Sequence, residues 1–304
     1  MLAVVAAAAP PPPLKGKRIA FTAPPIHGAR LAELLQLRGA EPIPVPTVLV
    51  EPTPSTIAAL RRYLPGGGAA AAEALESFSA LAFTSRVGIS AFAAALSGAG
   101  EPPLADAGEP FTVCALGKDA ELLHHDGFLS KICRNQGRIR VLVPEIASPD
   151  GLVAALGEGS GKKILCPVPA VVGLEEPPVV PEFLLALAAM GWAPARVPAY
   201  ETRWAGAACA APLLPAAPPV DAVVFTSTAE VEGLLKALAA AGSRWRAVAE
   251  RWPQMLVAAH GPVTARGAAA LGVPVDVVGS KFSTFDGVLE ALAARWGPPS
   301  DPLR

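Results

Sequence analysis

The sequence predicts a doubly wound α/β fold: two flavodoxin-like parallel-sheet domains from an internal duplication, joined by a two-stranded linker. Three observations carry that expectation. LAFTSRVGISAF at 81–92 and DAVVFTSTAEV at 221–231 repeat one device, an apolar run, then Phe-Thr-Ser, then a helical pattern. The apolar run reads as a buried parallel strand, and the hydroxyls that follow suit a helix cap. The repeat extends further: Lys17 and Lys163 are 146 apart, Phe83 and Phe225 142, Gly117 and Gly261 144, and the glycines of DGLVAAL and DGVLEAL 136. Offsets that nearly constant indicate repetition of a whole unit. Finally, EPIPVPTVLV at 41–50 and APARVPAYET at 193–202 are extended, proline-punctuated passages in equivalent places. Read as crossings between lobes, they leave one domain continuous over 48–199. The other is assembled from 15–47 plus 200–304, with a cleft and hinge between the two.

Element by element, residues 1–14, MLAVVAAAAPPPPL, are expected to be a disordered tail. They are apolar, end in polyproline, and lack both the basic start of a secretory signal and an Arg/Ser-rich transit pattern. Arg18–Thr22 is a strand, Gly28–Leu37 a helix stopped by Gly39, and 41–50 an edge strand running into the linker. Residues 55–64 and 69–77 read as helices around a turn at 65–68. Then follow strand 81–83, helix 87–96, strand 111–116, helix 118–125 and strand 138–143. A helix at 150–156 is opened by Ser148-Pro149. The pattern restarts with strand 162–168, helix 180–190 and extended 194–200. Strands at 221–225, 255–259 and 275–278 follow, and the last helix covers 286–296.

Composition narrows the function. A formal net charge of -1 with 17% charged residues argues against a nucleic-acid groove or a polybasic membrane patch. No unbroken apolar run suits a membrane span. Cys114, Cys133, Cys166 and Cys209 are scattered and read as free thiols of a reducing compartment. The four histidines have no metal-ligand spacing, so no metal is expected.

In open α/β sheets ligands sit beyond the carboxyl ends of the strands. Here those ends carry Thr22 and His27; Thr84, Ser85 and Arg86; Gly117 and Lys118; Thr226, Ser227 and Thr228; His260, Gly261, Thr264 and Arg266; and Ser280, Lys281, Ser283 and Thr284. Hydroxyls, helix N-termini and isolated cations suit a ligand bearing several carboxylates or phosphates. Gly-x-Ser-x-Gly, GxGxxG and the GxxxxGK[ST] phosphate loop are all missing. Taken singly the residues are ambiguous: Ser85, Ser227 and Thr264 serve equally as helix caps, and His260 as a packed histidine. Tyr200, one of two tyrosines, lies at the second crossing. Its phenol either donates a hydrogen bond to a leaving oxygen or braces the hinge.

These motifs in this order resemble the uroporphyrinogen-III synthase family over about 17–296. The resemblance rests on the two Phe-Thr-Ser turns, the Tyr-x-Thr of Tyr200–Thr202, GPVTA at 261–265 and GVPV at 272–275. It implies a cofactor-free lyase of tetrapyrrole biosynthesis, serving haem, chlorophyll or corrin. Its substrate is the linear polycarboxylate hydroxymethylbilane, closed to uroporphyrinogen III with loss of water and inversion of the last ring. It further implies that Tyr200 assists departure of the hydroxyl. The substrate would be held by Thr84, Ser85, Arg86, Gly117, Lys118, Thr226, Ser227, Thr228, Gly261, Thr264 and Lys281. A monomer in the cytoplasm or plastid stroma, without a nucleic-acid partner, is the expected setting. Two departures from the family pattern keep an alternative open, a non-catalytic bilobal binding or regulatory relative on the same scaffold. Gly117-Lys118-Asp119-Ala120 has lost a hydroxyl and gained an acid, and Glu175 and Glu176 replace a basic position. Acids facing a polyanion oppose binding unless they point away.

Overall fold

The apolar runs between the glycine and proline breaks become short parallel strands, and the amphipathic stretches become the helices that cover them. In the computed structural model, residues 13–66, 73–281 and 284–297 are described. The chain begins with β1 (Arg18–Phe21), α1 (Pro25–Leu37), β2 (Glu41–Pro44), β3 (Val48–Glu51) and α2 (Pro54–Arg61). It continues through β4 (Ala80–Ala82), α3 (Arg86–Leu96), β5 (Phe111–Cys114), α4 (Phe128–Ile132), β6 (Ile139–Leu142) and α5 (Pro149–Leu156). Next are β7 (Lys163–Val172), α6 (Val179–Ala189), β8 (Ala193–Trp204), β9 (Ala222–Phe225) and α7 (Thr228–Ala240). The last are α8 (Trp245–Arg251), β10 (Leu256–Ala259), α9 (Pro262–Ala270), β11 (Val277–Val278) and α10 (Asp286–Trp296).

The chain forms two compact units. One runs up to Leu49 and resumes at Trp204; the other is Val50–Arg203. The chain therefore passes between them twice, within β3 and within β8. In the discontinuous unit the sheet order is β11-β10-β9-β1-β2, and the neighbouring strands pair in parallel. Strand order reverses between β1 and β9, the point where doubly wound sheets hold ligands. Both faces are packed. Phe225, Leu234, Trp245 and Val273 lie in one core, and Leu31, Leu35, Val224 and Leu289 in the other. That two-sided burial explains why the strands are continuously apolar rather than alternating.

The continuous unit carries the order β3-β8-β7-β4-β5-β6. Counted from β7, the strands β8-β7-β4-β5-β6 repeat the order of the first sheet, with the reversal between β7 and β4. Phe83 packs edge-on against Phe92 and Phe128 in its core, and those two are tilted to each other, with centroids 5.6–6.2 Å apart. The opposite face buries Cys166, Val168, Phe183 and Leu187.

Several expectations need correction. Leu14, assigned to the tail, is fully buried, and its N–H donates to the Arg38 carbonyl at 3.0 Å. Its isobutyl group joins the core beside Leu35, and that burial outweighs the flexibility suggested by the prolines before it. Residues 1–12 of the tail, and 67–72 of the turn and helix expected there, lie outside the described residues. Of the helix expected at 69–77, the described part contains a 3₁₀ turn at Leu75–Ser77, and the helix expected at 118–125 is a 3₁₀ stretch, Gly117–His124. The strand expected to end at 168 continues to Val172, paired along its whole length with β8 through a shift at Val168/Pro169. Helix α8 had no sequence expectation. It forms because Trp245 packs edge-on against Phe225, centroids 6.2 Å apart. Among the described residues, no helix is long and apolar enough to cross a membrane.

Candidate functional site

Each Phe-Thr-Ser turn follows the strand at the reversal point of its own sheet, so the two are chemically comparable. In the continuous unit Ser85 caps α3, its Oγ accepting from the Gly88 N–H at 3.1 Å. A cap of this kind stabilises its helix by about 1 kcal/mol. The same oxygen donates to the Tyr200 phenol oxygen at 2.9 Å. Tyr200 is 7% exposed, and burial raises its pKa against the smaller, opposing effect of the Ser85 bond. The phenol is therefore neutral at physiological pH. Because the serine proton already occupies the phenol oxygen, the phenol's own proton remains available to an acceptor. Thr84 is half-exposed, and its hydroxyl has no hydrogen-bond partner among the described residues.

Around this pair the cations are largely matched. Arg86 Nε meets Asp119 Oδ1 at 3.2 Å, so the acid that departs from the family pattern sits on the arginine expected to grip substrate. Lys118 is exposed and forms no ion pair among the described residues. Gly117 adopts φ 48°, the left-handed region, which positions the turn into the 3₁₀ stretch. Glu176 pairs with Arg196, whose guanidinium also donates to the Pro169 carbonyl at 3.1 Å. That acid is thus engaged within its own unit.

The discontinuous unit gathers Thr226, Ser227, Thr228, Gly261 and Thr264. Ser227 caps α7, accepting from the Glu230 N–H at 3.3 Å. Thr264, nearly buried, donates to the Thr226 carbonyl at 3.2 Å. Thr228 lies against Gly267, where an added Cβ would fall 2.1 Å from its hydroxyl. Gly261 is the N-cap of α9 and is buried. Thr226 differs from its counterpart: its N–H and its hydroxyl donate to Glu230 at 2.8 and 2.5 Å. The donor role the sequence suggests for it is already taken. Lys281 pairs with Glu290 at 3.0 Å. His260 packs edge-on to Phe285 at 5.3 Å and, with Arg30, Leu34 and Thr284–Asp286, lines a hollow of about 300 Å³. His27, Arg266 and Ser280 are exposed, and Ser283 lies outside the described residues.

Sequence reasoning missed Glu230, which is 2% exposed. Its carboxylate also accepts from the fully buried Thr22 hydroxyl at 2.7 Å, and its carbonyl accepts from Thr47 Oγ1 at 2.8 Å. The signal was present: Glu230, Leu234, Ala237 and Leu238 form one buried stripe at helical spacing.

Doubly wound parallel sheets, each with a capped hydroxyl turn at its reversal point and one with a buried tyrosine against it, place the chain among two-unit, doubly wound α/β proteins. The family model described as uroporphyrinogen-III synthase HemD matches residues 29–289. The chain belongs to that family. Among solved structures, it is similar to a mutant uroporphyrinogen III synthase from the extreme thermophile Thermus thermophilus, at 19% identity and TM-score 0.55. That match covers 93% of this chain and 100% of the other. It is also similar to the uroporphyrinogen-III synthetase of Helicobacter pylori, at 15% identity and TM-score 0.49, with 92% and 99% covered. At 19% identity the likeness to the Thermus thermophilus structure is one of fold. No curated protein matches the chain.

Proposed function

We propose that the chain is a uroporphyrinogen-III synthase, a lyase that closes hydroxymethylbilane to uroporphyrinogen III with loss of water and inversion of ring D. Family membership supports the reaction class. The single observation that carries the reading within this chain is the buried Tyr200 phenol under the Ser85 hydroxyl. A neutral phenol with an uncommitted proton can stabilise the departing hydroxyl by hydrogen bonding. Desolvation strengthens that bond while keeping the phenol a weak acid. The azafulvene left behind is then attacked at the substituted carbon of the last ring, and the spiro product rearranges. Much of the protein's work is to hold the chain in that geometry and exclude simple head-to-tail closure. Thr84, with its free donor, and Lys118 are the groups best suited to substrate carboxylates. Ser227 and the start of α9 at Gly261 and Thr264 hold the matching turn in shape. We further read the two units as copies of one ancestral unit, on the shared strand order and the matching glycines Gly151 and Gly287. The protein acts as a monomer without a cofactor, in a reducing compartment, the cytoplasm or plastid stroma.

The test is to supply freshly made hydroxymethylbilane, oxidise the products and separate the isomers. Isomer III should dominate, and Tyr200→Phe should lower turnover on the order of 100-fold with the fold intact. Isomer I alone, at the uncatalysed rate, overturns the reading. That result would favour the second reading, a non-catalytic relative, for which the Arg86–Asp119 pair is the specific support.

A further inference from the structure

Tyr200 reaches Ser85 through an irregularity in its own strand. In a regular strand successive side chains point to opposite faces of the sheet. Ala195, Val197 and Ala199 alternate in this way and pack in the core that also holds Phe83 and Leu165. Tyr200 should then lie on the other face, with Cys166, Val168 and Phe183. It packs instead in the same core as Ala199, and its phenol meets Ser85 at 2.9 Å. The register of β7 and β8 gives the reason. Val168 is opposite Pro198 but Pro169 is opposite Tyr200, so Ala199 is an extra residue that β7 does not match. A bulge of this kind turns the side chains beyond it to the other face. Pro169 suits the position, since it has no N–H to lose from the ladder.

One side chain spans the shift. Arg196 is opposite Cys166, before the bulge. Its guanidinium donates at 3.1 Å to the Pro169 carbonyl, beyond the bulge, and grips both oxygens of Glu176. A bidentate pair of this kind fixes the direction of the guanidinium as well as its place. We propose that the Glu176–Arg196 clamp is the positioning device of Tyr200: it fixes the bulge at Ala199, and the bulge aims the phenol at Ser85. The clamp's part in turnover rests on the synthase reading; its part in placing the phenol does not. Glu176, one of the two acids at a position expected to be basic, then orients Arg196 from within its own unit.

The test follows the phenol itself in the full chain. There are two tyrosines, so in a Tyr63→Phe background an ultraviolet titration reports Tyr200 alone. Burial raises the Tyr200 pKa and outweighs the opposing Ser85 bond. Arg196→Met removes the fork from a side chain that is 38% exposed, a change that surface positions commonly tolerate. With the bulge released the phenol should gain solvent, and its pKa should fall toward the ordinary 10.0. Lys163→Met, which breaks the Glu73 pair of the same unit, should leave the titration where it was. An unmoved Tyr200 titration in folded Arg196→Met, or an equal shift in Lys163→Met, overturns the proposal. If Arg196→Met does not fold, Arg196→Lys decides on the same titration, since it keeps the charge and loses the fork. A fall supports the clamp, and no fall sinks it. For turnover, Arg196→Met should lower kcat about tenfold with KM within about twofold, and should cost nothing further once Tyr200 is Phe. An unchanged kcat, or a fall of equal size in Tyr200→Phe, removes the clamp from the mechanism. Absence of isomer III from the wild-type protein would remove the synthase reading and leave the titration result standing.

Discussion

Ser85 and Ser227 hold the same place in two copies of one motif, and each accepts from the N–H three residues on, yet Ser85 alone has a tyrosine under its proton. What a hydroxyl can do for a ligand is set by where its single proton already goes. Residue type at the strand ends does not record where that proton goes, so it is a poor guide to the role each side chain plays. The thiols obey a similar rule. Burial pushes the Cys114 thiol up to about 12, with a smaller opposing effect from Arg140, and burial also raises Cys166. At pH 8 a thiol with that pKa is thiolate in only about one molecule in 10⁴, and the thiolate is the reactive form. Cys209 is raised by burial as well but is partly exposed. Mass-spectrometric mapping of a thiol reagent at pH 8 should therefore find Cys209 modified in the native protein. Cys114 and Cys166 should react only on unfolding. Rapid native labelling of Cys166 would contradict the burial argued here.

At the scale of elements, the repeated Asp-Gly that opens α5 and α10 has a steric cause. A Cβ on Gly151 would sit 2.2 Å from the Ile146 carbonyl oxygen, and one on Gly287 would sit 2.5 Å from the Lys281 nitrogen. In each unit this helix lays its first turn directly on the backbone of the loop before it. Gly151→Ala must move main chain rather than a flexible side chain, and we expect a loss of about 1–3 kcal/mol. Chemical denaturation of the variant checks this; a change under about 0.5 kcal/mol, the range of neutral surface substitutions, would refute the close approach. The Asp-Gly repeat was legible because a steric demand for glycine cannot be met by another residue. The buried strands were legible for a related reason, since a strand covered on both faces must be apolar throughout. Other features were not. Glu230 reads as a solvated helix residue because an acid is normally exposed, and its burial depends on Thr22, distant in sequence. Helix α8 has its reason in Phe225, and the continuation of β7 in β8. The α8 and β7 contacts are tertiary ones that no local pattern records, whereas Glu230 shares a helical stripe with apolar residues and only its charge argued against burial.

At the scale of the whole molecule, an arginine–carboxylate pair in each unit can be compared, and the two differ in what acid would expose. In the continuous unit Arg138, with a side chain 7% exposed, meets Glu76 at 2.5 Å and donates to the Ala105 and Glu109 carbonyls at 2.7 and 2.8 Å. In the discontinuous unit Arg38 meets Asp286 at 2.6 Å, with the arginine side chain more open than Arg138 and the two carboxylates similarly exposed. The arginine hydrogen bond holds each carboxyl below its ordinary value, 4.5 for Glu76 and 3.8 for Asp286, against a smaller desolvation. For an acid whose folded pKa is depressed, the unfolded chain takes up protons first. The stabilisation is therefore present above the unfolded pKa and lost as pH falls through the folded one. Protonating Glu76 leaves a guanidinium almost without solvent, whereas protonating Asp286 leaves Arg38 partly hydrated, so the continuous unit should be the more acid-sensitive. Solvent reaches the Glu76 carboxyl, which limits its contribution to on the order of 1 kcal/mol. Melting curves at pH 7, 5, 4 and 3.5 should show Tm falling most steeply below pH 4.5. Glu76→Gln should lower Tm by roughly 2–4 °C at pH 7 and flatten the acid slope. Wild type and Glu76→Gln losing Tm in parallel down to pH 3.5 would mean that the Arg138 pair contributes nothing to acid stability.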